Sequence, residues 1–402
     1  MEESYIENTN YPFVFVHGMY GYGEDVKINK FLPYWGMYTG SLVEYLNEQG
    51  FECYAPSVGP FSSAWDRACE LYAQIFGGTV DYGVAHAKEH GHNRFGRTYD
   101  TPLIKDIGKR NDDGSFKKIN LVGHSFGGET IRMFSHLMEH GSKDERKATL
   151  PQDISPLFIG SKGKFIHSVT TIASPHNGIT AFYANRSTVD ITNYFVFIAG
   201  NVIGNTELNK FYDVHLEQFN LSGDSKESRS FGRAFNTAGA ADVVQGRDNI
   251  YYDLSLQGAI KMNRFLVINP RAYYFSYATF YEIVSPKGAL TELFKDYLSL
   301  AYKGLSDSLL NLSKIKYGNV KLDEKWRASD GAANTYSSIA PLDEKSIRFE
   351  NAKKTNKGIW NTMNIIKAKH MGVVGKVYNK NDKEKFRKFY VDHLTMINSL
   401  KD

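Results

Sequence analysis

The sequence contains little cysteine, no long apolar run and no block of one charge. Its 402 residues include two cysteines, Cys53 and Cys69, which are too few for a disulfide framework or a thiolate metal cluster. The sequence allows either one disulfide between them or two free thiols, and free thiols are the expected state. The 48 basic and 44 acidic residues are interspersed, with a net charge of +4, and this pattern does not indicate nucleic-acid binding. The remaining composition, 42% hydrophobic and 23% charged, is that of an ordinary globular protein, and we expect one domain over residues 1–402.

The apolar segments do not indicate a membrane helix or a leader. The longest one, residues 191–204, is interrupted by asparagine and glycine and is shorter than the about 20 residues that a membrane helix needs. The first four residues, MEES, contain no basic segment followed by an apolar one. The sequence therefore predicts either that the protein stays inside the cell or that a leader was removed and a start methionine added.

The most informative stretch is an apolar segment that ends in a serine between glycines. Residues 118–128 read KINLVGHSFGG, and an amphipathic stretch follows them. A strand, a sharp turn and a helix in this order, with the pattern G-x-S-x-G, are typical of the nucleophile elbow of α/β-hydrolases. The alternative is a glycine-rich turn with an incidental serine. We expect Ser125 to be a nucleophile held at the start of a helix.

Other apolar runs place this turn in a parallel sheet. Residues 12–16 form a continuous apolar run, as expected of a buried parallel strand, and three further segments are predicted to be strands: residues 51–55, 164–173 and the aromatic-rich 273–281. With helical patterns around them, they predict an α/β-hydrolase fold, in which a central, mostly parallel sheet is flanked by helices. Residues 61–98 break the alternation of strand and helix and are predicted to be an insertion. The apolar and aromatic residues from about 185 to 219 are predicted to be helices that cover the cleft.

A reactive serine needs a base within hydrogen-bonding distance, and the base needs an acid that holds its tautomer. In α/β-hydrolases the chain order is serine, then aspartate or glutamate, then histidine. Only two histidines, His370 and His393, follow Asp253 in the chain. His393 lies in the amphipathic C-terminal pattern, whereas His370 lies in a non-helical stretch before Gly372. We therefore predict that His370 is the base.

Asp330 is the predicted acid, because aspartate before glycine favours a turn, and the acid of these enzymes belongs in a turn after a strand. Two other aspartates are alternatives: Asp323 and Asp343. The oxyanion hole needs two backbone N–H groups. We expect one from Phe126, which follows the nucleophile, and the other from Met19, in the loop after the first strand.

A second group of chemically active side chains lies in the predicted insertion. His86, His90 and His92 fall within seven residues of one another and are preceded by Asp66. Clustered histidine with aspartate suggests Zn²⁺, but the spacing alone does not select the ligands. The alternative is an exposed, histidine-rich loop without a metal.

Together these segments resemble the zinc-containing lipases of the Geobacillus and Staphylococcus type. The resemblance runs from Pro12 to near His370 and is carried by residues 56–99, 252–255, 329–331 and 358–361. Matched residue by residue, it implies the same three catalytic residues: Ser125, Asp330 and His370. It implies four zinc ligands, with His90 outside the site: Asp66, His86, His92 and Asp253.

Two aspartates and two histidines would form a closed four-coordinate site, so the resemblance implies structural zinc that clamps residues 66–92 to the segment of Asp253. It also implies a helical lid, which matches the apolar residues 185–219. The sequence departs from the family twice. Phe126 stands where these lipases usually have glutamine, which predicts a more apolar cleft. The carboxylates that bind calcium after the base histidine are missing from residues 371–376, so calcium is not predicted.

From these residues we predict a serine carboxylester hydrolase, a lipase or esterase. Its substrates would be triglycerides, shorter acyl esters or polymeric esters, with a lipid interface as a further partner, and the resemblance implies a secreted protein. Two alternatives come from other classes: a zinc hydrolase that activates water on the metal, and a non-catalytic lipid-binding homologue. Neither alternative needs a complete set of serine, aspartate and histidine, so this set favours the serine hydrolase.

Overall fold

The structure, a computed structural model, describes most of the chain. The described residues are 9–110, 114–180, 206–220, 245–281 and 320–402, together with positions 203, 243, 316 and 317. Within these ranges, no helix has the length and apolar character needed to cross a membrane.

A seven-stranded sheet forms the centre of the protein, in the order β11-β12-β7-β6-β5-β1-β2. The strands in chain order are β1 (Phe13–Val16), β2 (Cys53–Tyr54), β3 (Gly78–Asp81), β4 (Phe95–Tyr99), β5 (Ile119–His124), β6 (Ile166–Ile172), β7 (Tyr273–Tyr277), β8 (Thr279–Phe280), β9 (Lys316–Tyr317), β10 (Val320–Lys321), β11 (Ser346–Arg348), β12 (Trp360–Thr362) and β13 (Ile366–Lys367). All six neighbouring pairs of the central sheet are parallel. The predicted α/β class, with a mostly parallel sheet flanked by helices, is confirmed.

Most of the described α-helices begin after a capping residue. The helices are α1 (Leu42–Glu48), α2 (Ala64–Phe76), α3 (Val84–His90), α4 (Phe126–His140), α5 (Lys143–Ala148), α6 (Pro156–Ile159), α7 (Ile250–Leu254), α8 (Leu256–Phe265) and α9 (Lys380–Asn398). All but α3 and α4 follow a serine or asparagine whose side chain accepts a backbone N–H, which stabilises the first turn. Ser125 precedes α4 but makes no such bond, so its hydroxyl is left for another contact.

The sheet separates two apolar cores. Along β1, the side chains of Phe13 and Phe15 point to one face and those of Val14 and Val16 to the other, as strand alternation requires. The valine face packs against α2 and α4, and the phenylalanine face packs against α1 and α9. Burying one such side chain contributes about 1.5–3 kcal/mol, so both helical layers hold the sheet in position.

The two cysteines are free and lie in different cores. Cys53 belongs to the core of the phenylalanine face and Cys69 to the core of the valine face, with the sheet between them. The bridge that the sequence left open is therefore absent.

Residues 61–98 fold as α2, the antiparallel hairpin β3–β4, and α3 between the two hairpin strands. Their interpretation as an insertion into the fold stays a prediction. The predicted cover, residues 185–219, lies mostly outside the described residues. Its described part contains two short 3-10 helices, Glu207–Lys210 and Glu217–Phe219, and the helical lid also stays a prediction.

Candidate active site and metal site

Ser125 lies on the sharp turn between β5 and α4. Its backbone has φ 54° and ψ −131°, a conformation that non-glycine residues rarely adopt and that costs about 1–3 kcal/mol. A Cβ on Gly127 would lie 2.0 Å from the carbonyl oxygen of Val16, and a Cβ on Gly123 would lie 2.5 Å from the carbonyl of Gly127. Close packing of α4 on the sheet therefore requires both glycines of the G-x-S-x-G pattern.

The structure brings together the serine, histidine and aspartate that the sequence singled out. Nε2 of His370 lies 2.9 Å from Oγ of Ser125, and Nδ1 of His370 lies 2.7 Å from Oδ2 of Asp330. The other oxygen of Asp330 accepts the backbone N–H groups of Ala332 and Ala333. Asp330 is buried, Ser125 is 9% exposed and His370 is partly exposed, so the histidine lies at the rim of the group.

The environment of Asp330 favours its charged form. Burial alone would raise the pKa of Asp330, but the adjacent ring of His370 and the hydrogen bond from Thr279 lower it below its usual value. The Thr279 hydroxyl donates to Oδ2 over 2.5 Å. An ionised carboxylate in this position holds the proton of the neutral ring of His370 on Nδ1, which leaves Nε2 free to accept the serine proton.

The alternative residues lie in other surroundings. His393 is buried in α9, and its Nδ1 lies 3.0 Å from the hydroxyl of Tyr277. Asp323 caps the 3-10 helix Glu324–Arg327, and Asp343 is exposed. None of these three residues approaches Ser125 among the described contacts.

The two residues predicted to supply the oxyanion-hole N–H groups lie next to the nucleophile turn. Phe126 is the first residue of α4, where amide groups have no acceptor within the helix. Gly18 packs directly on the nucleophile turn, because a Cβ at Gly18 would lie 2.7 Å from Cβ of Ser125. Met19 follows it, and its N–H has no acceptor among the described residues. Both predicted oxyanion-hole residues thus lie beside Ser125.

The side chain of Phe126 belongs to the buried core beside the nucleophile turn, and the more apolar cleft that the sequence suggests stays a prediction. Its ring is fully buried in the core, and the guanidinium of Arg67 lies 5.2 Å from its centre. The helix geometry explains this, since the residue after the nucleophile points from the first turn of α4 toward the sheet and α2.

A buried carboxyl lies one turn further along α4. Glu129 is 1% exposed, and neither of its oxygens forms a hydrogen bond with a described residue. The positive charges of Arg132 and Arg67 act on Glu129, and Nδ1 of His176, whose pKa burial lowers well below its usual value, is 3.9 Å from Oε1 of Glu129. Burial raises the pKa of Glu129 to about 8, so it is mostly protonated at neutral pH.

Four side chains converge on a second site between α2, the β3–β4 hairpin and the segment before α7. They are Asp66, His86, His92 and Asp248, and one ligand atom of each lies within 4.8 Å of all the others. Nε2 of His86 is 3.1 Å from Asp66 and 3.2 Å from Asp248, and Nε2 of His92 is 3.1 Å from Asp248. Burial lowers the pKa of His86, but the two carboxylates overcome this effect and raise it to about 10, so the site attracts positive charge.

The chemistry of these donors fits a divalent metal ion. Nε2 of His92 and both oxygens of Asp248 are buried, and their close contacts are with other members of the same group. Nδ1 of His92 lies 2.8 Å from the carbonyl oxygen of Asn93, which places the ring proton on Nδ1 and leaves Nε2 as a ligand. Two imidazole nitrogens and two carboxylates are a donor set that tetrahedral Zn²⁺ accepts.

The assignment of Asp253 as the fourth ligand is wrong, because the structure places Asp248 in that position. Asp253 lies inside α7, and its Oδ2 accepts the N–H of Ala64 over 2.8 Å at the start of α2. Asp248 stands just before Asn249, the residue that caps α7, and its carboxylate turns toward the histidines. The capping asparagine marks where α7 begins, but it does not by itself select between the two aspartates.

The family described as "Lipase-like, C-terminal domain" matches residues 9–400 of the chain. Among curated proteins, a lipase of Staphylococcus epidermidis is 33% identical over 358 residues, which make up 87% of this chain and 48% of that protein. The chain thus spans about half the length of the curated relatives it matches.

Solved structures share the fold along nearly the whole chain. EstA from Clostridium botulinum has a TM-score of 0.78 at 34% identity, covering 99% of this chain and 89% of that one. Lipase 1 from Pelosinus fermentans has a TM-score of 0.75 at 33% identity, covering 96% of this chain and 98% of that one.

Proposed function

The chain belongs to the lipase-like, C-terminal domain family, as the resemblance in its sequence predicts, and we propose that it is a serine carboxylester hydrolase, a lipase or esterase. The observation that carries the proposal is the continuous contact from the Ser125 hydroxyl through His370 to Asp330, over 2.9 and 2.7 Å. A hydroxyl, an imidazole and an ionised carboxylate in this order are the parts that acyl transfer requires.

In the proposed reaction, Oγ of Ser125 attacks the ester carbonyl while Nε2 of His370 takes the hydroxyl proton. The carboxylate of Asp330 stabilises the imidazolium that forms and keeps its orientation. The N–H groups of Met19 and Phe126 would hold the oxyanion of the tetrahedral intermediate. Removing one such donor typically lowers the rate about 10²–10³-fold.

The same residues complete acylation and then carry out hydrolysis of the acyl-enzyme. His370 gives its proton to the leaving alcohol, and the C–O bond to that alcohol breaks to leave an acyl-enzyme on Ser125. A water molecule then loses its proton to His370 and attacks the acyl carbonyl. The carboxylic acid leaves, and Oγ of Ser125 recovers its proton.

We further propose that Asp66, His86, His92 and Asp248 hold structural zinc. A bound ion would supply charge compensation for the two buried carboxylates and would join α2 and the hairpin to the segment before α7. Gln218 supports this arrangement, because its side-chain amide donates to Oδ2 of Asp66 over 2.8 Å and fixes that carboxylate.

The substrates are proposed to be water-poor esters, such as triglycerides, shorter acyl esters or polymeric esters, and a lipid interface is a further proposed partner. The names of the relatives support the lipid class. Rates on esters of increasing acyl length would test it, and a profile that does not change with length would count against a lipase. Secretion, which the family resemblance implies, belongs to the same proposal and is tested by locating the protein in fractions of its source culture.

Intact mass spectrometry after treatment with an alkyl phosphonate tests the nucleophile and the metal together. Under native conditions we expect one adduct and one retained zinc ion, and under denaturing conditions the adduct alone, on Ser125. The Ser125→Ala variant should take up no phosphonate and lose ester hydrolysis while keeping its zinc. If Ser125→Ala stays active and chelation abolishes the activity, a metal-activated water would replace this mechanism.

A further inference from the structure

The hydroxyl group of Tyr34 joins two parts of the proposed active site. It accepts the backbone N–H of Gly18 over 2.8 Å, and it lies 2.7 Å from Nδ1 of His124. Tyr34 is 4% exposed and His124 is fully buried. Gly18 lies in the loop that precedes Met19, and His124 immediately precedes Ser125, so the tyrosine connects the oxyanion loop to the nucleophile turn.

The same histidine contacts the segment that carries the base. Nε2 of His124 lies 3.0 Å from the backbone carbonyl oxygen of His370, and the two rings are 4.8 Å apart. A backbone hydrogen bond also joins these segments. The N–H of Gly36, two residues after Tyr34, donates to the carbonyl of Val374. The 3-10 helix His370–Val374 is therefore held by His124 at its first residue and by Gly36 at its last.

Only one arrangement of protons satisfies all of these contacts for a neutral imidazole. The carbonyl of His370 can only accept, so Nε2 of His124 must carry the proton. Nδ1 then has no proton and accepts the hydroxyl hydrogen of Tyr34, whose oxygen accepts the N–H of Gly18. Burial and the nearby His370 lower the pKa of His124 well below its usual value, which keeps the ring neutral as this arrangement requires.

We propose that Tyr34 and His124 are positioning residues. They form one continuous hydrogen-bonded chain of side chains, the Tyr34–His124 relay, from the N–H of Gly18 to the carbonyl of His370. The inference rests on the proposed function, since it assigns a role in the reaction of Ser125. The Tyr34–His124 relay fixes the backbone of His370 relative to His124, the residue before the nucleophile. It therefore holds Nε2 of His370 against Oγ of Ser125. It also occupies the N–H of Gly18, which fixes the peptide between His17 and Gly18, one peptide before the N–H of Met19.

Replacing Tyr34 by phenylalanine removes the central hydroxyl and little else. With a soluble chromogenic ester, we expect kcat of Tyr34→Phe to fall about 10–100-fold while KM stays within about twofold, because substrate contacts are unchanged and the base is misplaced. The double variant Tyr34→Phe/His124→Gln should lose little more than the more impaired single variant, since both changes break one chain.

Tyr274→Phe is the matched control. The Tyr274 side chain is also buried, and its hydroxyl also accepts a backbone N–H, from Asn269 at 3.1 Å, and contacts a polar side chain, Ser135 at 2.7 Å. It lies near the start of β7, away from the strand ends that carry Ser125. We expect this variant to lose thermal stability as Tyr34→Phe does, with kcat unchanged. Equal kcat in wild type and Tyr34→Phe would overturn the inference, and so would strictly multiplicative losses in the double variant.

Nitrogen NMR of histidine-labelled wild-type protein provides a test that needs no folded variant of Tyr34. The signal of His124, which should be absent from the spectrum of His124→Gln, is expected to be that of a neutral ring protonated on Nε2. A proton on Nδ1 of His124 would contradict the proposed hydrogen bonds of the Tyr34–His124 relay. If the wild-type protein hydrolyses no ester and takes up no phosphonate, the proposed function fails instead, whatever the tautomer of His124.

Discussion

Replacing Glu129 by glutamine should stabilise the protein above neutral pH, because Glu129 is a buried carboxyl in the helix that follows the nucleophile turn. The carboxyl is buried in α4 without a hydrogen bond to a described residue, and burial raises its pKa from 4.5 to about 8. Ionisation is therefore easier in the unfolded chain than in the folded protein. Glutamine has nearly the same shape and cannot ionise.

The sign and size of the effect follow from these two pKa values. Below pH 4.5 the carboxyl is protonated in both states, and the wild type suffers no loss from ionisation. As the pH rises toward about 8, the unfolded chain is ionised while the folded protein is not, and the free energy of unfolding falls by about 1.4 kcal/mol per pH unit. The loss reaches about 3 kcal/mol at pH 7 and levels off near 5 kcal/mol above pH 8.

Urea unfolding of the wild type and Glu129→Gln at pH 5, 7 and 9 measures this difference. Other buried groups, such as Glu70, titrate in both proteins and cancel in the comparison. The exposed Glu48 gives a control for the substitution itself, since Glu48→Gln also replaces a carboxyl by an amide but in a side chain that contacts solvent. If the advantage of Glu129→Gln did not grow with pH, Glu129 would be ionised in the folded protein, paired with Arg132, and the reasoning from burial would be refuted.

Three further predictions concern the two sites and the turn. Asp330→Asn should lower kcat about 10⁴-fold with KM little changed, because the base loses its tautomer, and steady-state kinetics that retain a tenth of the activity would contradict this role. Asp248→Asn should lose bound zinc in native mass spectrometry while Asp253→Asn keeps it, and the opposite result would restore the ligand assignment made from the sequence. Gly127→Ala should prevent folding or abolish activity, since its Cβ would lie 2.0 Å from a carbonyl oxygen, whereas Gly372→Ala, whose Cβ would meet its closest neighbour at 3.5 Å, should leave the melting temperature nearly unchanged.

The parts of the protein that the sequence predicted are those with strong local signals. The apolar run at 12–16 and the elbow at 118–128 place β1, β5 and α4 because a buried parallel strand is continuously apolar and a sharp turn requires glycine. The class of the sheet followed from the same runs. Ser125, Asp330 and His370 could be selected because chain order restricts the histidine to two candidates and the aspartate to a turn.

The remaining features depend on contacts between distant segments, which spacing does not encode. Asp248 and Asp253 are both aspartates near one short helix, and only the direction in which α7 begins decides which carboxylate reaches His86. The burial of the Phe126 ring and the contact of Tyr34 with His124 likewise depend on how loops from different strands meet above the sheet. No pattern along the chain distinguishes these side chains from ordinary core residues.

The contact between Ser125 and His370 also has a consequence for the synthesis of the protein on the ribosome. The two residues are separated by 245 positions, so the serine leaves the exit tunnel long before the histidine is made. At 5–20 residues per second, this delay is on the order of 10–50 s. During that interval the hydroxyl has no partner to take its proton, and the proposed nucleophile stays inactive until His370 has been translated.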